Sequence, residues 1–84
     1  MKFTHYNQGT CSSQVAFEID DEGIIRDVQF YGGCHGNLQG IAMLVRGMKA
    51  SEVITKLQGI RCGYKNTSCP DQLAKALTEA LARI

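Results

Sequence analysis

The run Gln14-Val15-Ala16-Phe17-Glu18-Ile19-Asp20-Asp21-Glu22-Gly23-Ile24-Ile25-Arg26-Asp27-Val28-Gln29-Phe30-Tyr31 decides the fold. Val15, Phe17 and Ile19 alternate with Gln14, Glu18 and Asp20. A period of two places one set on a buried face and the other toward water, the mark of a half-buried strand. Asp21-Glu22-Gly23 interrupts the pattern, and Gly23 is free to take positive φ in a tight turn. A second strand follows from Ile24 to Tyr31, with Val28 and Phe30 on the core face. Two such runs joined by a short turn predict an antiparallel hairpin. Upstream, Phe3-Thr4-His5-Tyr6 supplies a further short strand. The three strands form a meander.

Downstream the period changes. Gly32-Gly33 ends the sheet, Cys34 follows, and Leu38, Ile41, Ala42 and Val45 then recur at helical spacing. Asn37 is the expected N-cap and Gly47 the expected C′ residue. Gly40 inside this helix costs about 0.5–1 kcal/mol relative to alanine, and a close backbone approach would explain it. Ser51 is expected to cap a shorter helix carrying Val53, Ile54 and Leu57, which Gly59 stops. Residues 60–68 form a loop with Cys62, and a last helix begins at Pro70, a residue suited to the first helical position. Leu73, Leu77, Ala80, Leu81 and Ile84 make its apolar stripe. Strands first and helices after predict an α+β domain over residues 1–84, a three-stranded antiparallel sheet with three helices packed on one face.

Composition bounds the function. The chain has 84 residues, a size at which a metal, disulfides or a partner often supplements a marginal core. A formal net charge of +1 gives no electrostatic case for nucleic acid or an anionic membrane. The N-terminal residues lack the apolar stretch of a signal peptide. The longest apolar run, Ile41 to Val45, is far short of the ~20 residues that a membrane span requires. A cytoplasmic setting is therefore expected, in which thiols stay reduced and cysteines serve as metal ligands or redox groups.

The four cysteines, Cys11, Cys34, Cys62 and Cys69, fall at junctions between elements and not on apolar faces. A structural cysteine is usually a small buried hydrophobe within an element, so four junction positions point elsewhere. With Pro70 as the first helical residue, Cys69 would be the N-cap, its sulfur facing free N–H groups and the positive end of the helix dipole. That setting favours thiolate, the form that binds metal and attacks electrophiles. Asp71 opposes it unless a cation lies between. No C-x2-C knuckle is present, so the fold must assemble any site.

Three readings stand open: a tetrathiolate metal site, zinc before iron–sulfur; exchangeable redox thiols; and unremarkable structural thiols. For the first, four thiolates take the charge from +1 to −3 and a divalent metal returns it to −1. Arg61 and Lys65 beside Cys62 could offset the remainder. His35 is a candidate ligand, outer-sphere donor or proton carrier, or else a plain solvent-exposed turn residue. His5 reads as structural, Met43 and Met48 as core or edge packing, and Asp20-Asp21-Glu22 as a solvated turn. The glycine-rich run 32–37 lacks the Lys-Ser/Thr ending of a P-loop. No acid–base or nucleophile–base pair is legible, so independent catalysis is not expected.

The run Thr67-Ser68-Cys69-Pro70-Asp71, together with Cys11, Gly33-Cys34 and Cys62, resembles the TSCPD domain family over nearly the whole chain, as a short free-standing member. The resemblance implies metal ligation by Cys11, Cys34, Cys62 and Cys69; His35 and Asp71, beside these ligands in sequence, are expected in the surrounding shell. Related domains end adenosylcobalamin-dependent ribonucleotide reductases, which implies an accessory role in deoxyribonucleotide synthesis. The chain is too short to hold a reductase barrel. In order of elements it is also similar to U-type iron–sulfur scaffold proteins, which hold zinc or a nascent cluster on three cysteines. By that likeness Cys11, Cys34 and Cys69 converge and Cys62 is a fourth ligand. The scaffold's aspartate two residues after its first cysteine is Ser13 here, the histidine before its last cysteine is Ser68, and its Pro-Pro-Val-Lys segment is absent. Expected partners are a ribonucleotide reductase or another protein, or a second copy through edge-strand pairing.

Overall fold

The computed structural model of the chain describes residues 1–33 and 35–83, His35 by its backbone alone. Three strands, β1 (Lys2–Tyr6), β2 (Ser12–Ile19) and β3 (Ile25–Gly32), precede three helices, α1 (His35–Val45), α2 (Ala50–Leu57) and α3 (Cys69–Leu81). The expected α+β architecture is the one observed. The sheet runs in the order β1-β2-β3 with both pairings antiparallel. Cys34, a proposed ligand, lies outside the described residues, as does Ile84 at the end of the expected α3 stripe.

The alternation in β2 becomes burial. Val15, Phe17 and Ile19 are enclosed, and Val28 and Ile25 join them from β3. Phe3 stands opposite Phe17 across the β1–β2 pair, and the two rings stack with centroids 5.5 Å apart. Ala42, Val45, Val53, Leu73 and Leu77 meet this face from the helices. Each fully buried large aliphatic side chain contributes about 1.5–3 kcal/mol, which is why this single layer contact organises so small a chain.

The helix starts differ from expectation. α1 begins at His35, so Asn37 lies in its first turn and does not cap it. α2 begins at Ala50 with Lys49 in the N-cap position and no side-chain cap. There the Ala50 N–H donates to the Gly23 carbonyl at 2.8 Å, across from the β2–β3 turn. Residues 47–50 are in fact stitched to the start of β3. The Ile25 N–H donates to the Met48 carbonyl (2.9 Å) and the Gly47 N–H to the Ile25 carbonyl (2.8 Å). This stitch requires Gly47 at φ +82°, in the left-handed region that glycine favours.

α3 starts at Cys69, with Ser68 and not Cys69 as its N-cap. The Ser68 hydroxyl accepts the Asp71 N–H at 3.1 Å, as in a Ser-x-x-acid capping arrangement. Serine oxygen is the better cap, so Cys69 moves one place into the first turn and its sulfur is released for other contacts. Among the described residues, Gly40 meets nothing beyond its chain neighbours and its own helix backbone within 4 Å of where a Cβ would stand, so a close approach by another element does not account for it. Met43 is exposed and packs neither in the core nor at its edge, whereas Met48 packs against the core.

Candidate metal centre

Three described cysteines line one cleft. The β1–β2 loop delivers Cys11, the loop after α2 delivers Cys62, and the first turn of α3 delivers Cys69. The cleft has a volume of about 260 Å³. Leu38, Ile41, Ile60 and Pro70 form its apolar walls, and Arg61 and Lys65 stand on it beside Cys62. Among the described residues no acidic side chain lines it. Cys11 and Cys62 are exposed, Cys69 is buried, and all three are free thiols.

The Cys11 and Cys69 sulfurs are 3.9 Å apart. That is too far for a disulfide, whose S–S bond is about 2.05 Å. It matches the sulfur–sulfur edge of about 3.8 Å that a tetrahedron with Zn–S bonds of about 2.3 Å requires. Among the described residues no three Cys, His, Asp or Glu side chains are grouped closely enough to hold a metal ion. Cys62 therefore shares the cleft without joining the close pair.

Cys69 sits in a nest of donors. Burial, the largest influence, pushes its thiol pKa up. The Ser12 hydroxyl and Ser12 backbone N–H, with Cys11 and Thr10, pull it down further, and the net position is below the ordinary thiol value. The Ser12 Oγ lies 2.8 Å from the Cys69 sulfur. Asn7 Nδ2 donates to the same Oγ at 2.8 Å. The lowering expected of Cys69 is thus present, with Ser12 as its main source, although Cys69 is the first residue of α3 and not its N-cap.

Gly33 completes the near side. A Cβ there would stand 3.0 Å from Leu38 Cδ1, 3.0 Å from the Ser12 nitrogen and 3.1 Å from the Cys11 sulfur. Its φ of +78° also excludes most side chains. Backbone runs directly against the Cys11 sulfur one residue before Cys34.

A buried polar chain braces the segments that carry the cysteines. Gln72 Oε1 accepts from His5 Nε2 at 3.0 Å and from the Gln8 N–H at 3.3 Å. Gln72 Nε2 donates to Thr67 Oγ1 at 3.0 Å, and that hydroxyl donates to Asp71 Oδ2. Asp71 Oδ1 accepts the Gly59 N–H at 2.7 Å, and Lys75 Nζ lies 3.4 Å from Oδ2. The Thr67 hydroxyl, which donates to it, holds the Asp71 carboxyl below the usual carboxylate range, with help from Gly59 and Lys75 against the opposing effect of burial. The Cys62 N–H in turn donates to the Thr67 carbonyl at 3.2 Å.

Each residue of the run 67–71 has its own contact. Thr67 bonds Asp71, Ser68 caps the helix, Cys69 faces the cleft, Pro70 stands where no N–H is needed, and Asp71 clasps Gly59 at the far end of the Cys62 loop. Asp71, expected in the shell around the ligands, turns its carboxylate toward this clasp. The side chain of His35 lies outside the described residues. His5 is structural, as expected, through Gln72. Sequence reasoning did not single out Asn7, Ser12, Thr67 or Gln72 individually. Their signal is the density of short polar residues beside Cys11 and Cys69. Among the described residues no helix is long and apolar enough to cross a membrane.

A family model described as "TSCPD domain" matches residues 1–81. No curated protein and no solved structure matches the chain.

Proposed function

The chain belongs to the TSCPD domain family, and from that premise we propose that its cysteine cleft holds one metal ion, zinc before an iron–sulfur cluster, in a small accessory module of ribonucleotide reduction. The observation that carries the reading is the unbonded Cys11–Cys69 pair at 3.9 Å, the sulfur spacing of a tetrahedral thiolate site. Cys11 and Cys69 would be the anchoring ligands, and Cys62 and Cys34 would complete the set. Cys62 rides on an exposed loop, residues 60–66, which leaves it room to approach the pair. A bound zinc would supply cross-linking of three loops and no redox chemistry of its own. Arg61 and Lys65 would offset the negative charge of four thiolates around one divalent ion.

The setting in this reading is the reducing cytosol, where such thiols remain available. The reductase link comes from the family resemblance. The module would act with a reductase chain and not replace it, and a second copy through an edge strand is the other candidate partner.

Elemental analysis of protein purified without added metal, paired with a free-thiol count, tests the proposal. About one zinc per chain is expected, with loss of metal in Cys11→Ser and Cys69→Ser. Metal-free protein with every thiol reactive overturns it. Anaerobic reconstitution separates the two metal choices, since a cluster absorbs visible light and zinc does not. For the partner, purified module added to an adenosylcobalamin-dependent reductase is expected to change its turnover.

A second reading has an observation of its own. Cys69 is biased toward thiolate and the exposed Cys11 lies next to it, which also suits a thiol–disulfide couple. Redox titration of metal-free protein decides it: cycling near the thioredoxin value of about −270 mV favours the couple.

A further inference from the structure

We propose that Ser12, oriented by Asn7, is the positioning residue of the centre: it donates its hydroxyl proton to the Cys69 sulfur and so fixes that sulfur as an acceptor and a slowly released ligand. The inference deepens the metal reading above and rests on it for its functional meaning.

A serine hydroxyl has one proton. Asn7 Nδ2 donates to Ser12 Oγ at 2.8 Å, so one oxygen lone pair is used and the hydroxyl proton is left for another partner. The Cys69 sulfur lies 2.8 Å from the same oxygen, in a setting where both groups are buried. A ligating Cys69 thiolate carries no proton, so in that state the proton between the two atoms is that of Ser12. Asn7 Oδ1 is itself buried with no hydrogen-bond partner among the described residues. The opposite amide orientation would give Oδ1 a partner but would draw the Ser12 proton away from sulfur. The arrangement leaves an amide oxygen unpaired and keeps the directional chain Asn7 N–H to Ser12 O–H to Cys69 S intact.

The chain is built into the fold and is not a surface accident. Ser12 is the first residue of β2 and is 1% exposed. Thr10 Oγ1 donates to the Ser12 carbonyl at 2.9 Å, which ties down the loop that bears Cys11. Hydrogen bonds to a ligating group orient it and tune its hold on the metal, and their loss typically costs about 10–100-fold in affinity.

The test uses the full chain loaded with cobalt(II), whose sulfur-to-metal charge-transfer band reports electron density on sulfur. Three proteins are compared: wild type, Ser12→Ala and Asn7→Asp. The last is nearly isosteric but can only accept from Ser12, so it reverses the chain. Both variants are expected to release metal to a competing chelator about 10–100-fold faster. Their charge-transfer bands are expected to move to lower energy, a change that loss of packing alone would not produce. Should Ser12→Ala not fold, Asn7→Asp carries the comparison. Wild-type release rates and unmoved bands in the folded variants overturn the proposal. If wild type takes up no cobalt, the metal reading fails by itself. The Ser12 hydroxyl proton is then located by NMR in metal-free protein. Contacts from it to the Cys69 methylene uphold the directional chain, and contacts to position 7 refute it.

Discussion

At the residue scale the centre depends on a few atoms with no room to move. Gly33 is the clearest. Its positive φ and the contacts at 3.0–3.1 Å leave no place for a methyl group. Gly33→Ala is expected to lower stability by about 1–3 kcal/mol, from strain and overpacking together, measured by urea unfolding. The same variant is expected to shift the Cys11 sulfur and weaken metal retention. Asp71 is the second pivot. Asp71→Ala strands the Thr67 hydroxyl and the Gly59 N–H, with an expected loss of about 1–3 kcal/mol. Protease nicking between residues 59 and 67 should rise in parallel, which a simple loss of global stability in Leu77→Ala would serve to calibrate. Asp20 gives a pH signature. Its Oδ1 accepts from the Glu22 and Ile24 N–H groups, and Arg26 bonds Oδ2. The Ile24 N–H, the largest influence, and these other donors hold its carboxyl below the usual value. A depressed folded-state pKa stabilises the fold above the unfolded value of about 3.9, and that stability disappears as pH falls through the folded value. Acid unfolding of Asp20→Asn is therefore expected to depend less on pH below about 4 than that of wild type. Equal slopes for the two proteins would exclude the effect.

At the scale of elements the strands were legible and the helix starts were not. Alternation of Val15, Phe17 and Ile19 is a local signal that burial then honours. Helix caps are a local signal only when the cap is local. Ser68 fits that case, one residue before the position that Pro70 as first helical residue would assign to the cap. Ala50 does not fit it, because its N–H is satisfied by Gly23, a partner that the turn between β2 and β3 brings across. The site divides the same way. Cysteines at junctions could be picked out along the chain, whereas Ser12 meets Cys69 across 57 positions and His5 meets Gln72 across 67. No spacing rule reaches that far. Packing of α3 on the sheet is tested by Leu77→Ala, at 0% exposure in the centre of the helix. Truncation of a fully enclosed leucine is expected to cost about 2–5 kcal/mol, read as a lower urea midpoint with an unchanged slope.

For the whole molecule the proposed ion and the fold are linked. The cleft joins the β1–β2 loop to the loop after α2 and the start of α3, and the unfolded chain holds the first of these far from the other two. An ion bound only by the folded chain stabilises it by mass action, about 2.7 kcal/mol at a hundredfold excess over Kd. Added zinc is therefore expected to raise the Tm of metal-free protein, and a strong chelator to lower it. A Tm indifferent to both would mean that the loops are not bridged. The polar chain from His5 through Gln72 and Thr67 to Asp71 already holds two of these stretches against α3 without metal. Metal-free protein is accordingly expected to stay folded at neutral pH.

The unequal exposure of the paired sulfurs dictates an order of chemical capture. Cys11 is open to solvent and Cys69 is enclosed 3.9 Å behind it. A bulky maleimide adduct on Cys11 would act as a stopper over Cys69, so the inner thiol becomes unlabelled by default. Native-state labelling with large reagents would then undercount thiols even where no metal is bound, whereas a small alkylating agent, or the same maleimide after denaturation, would recover the missing sulfur.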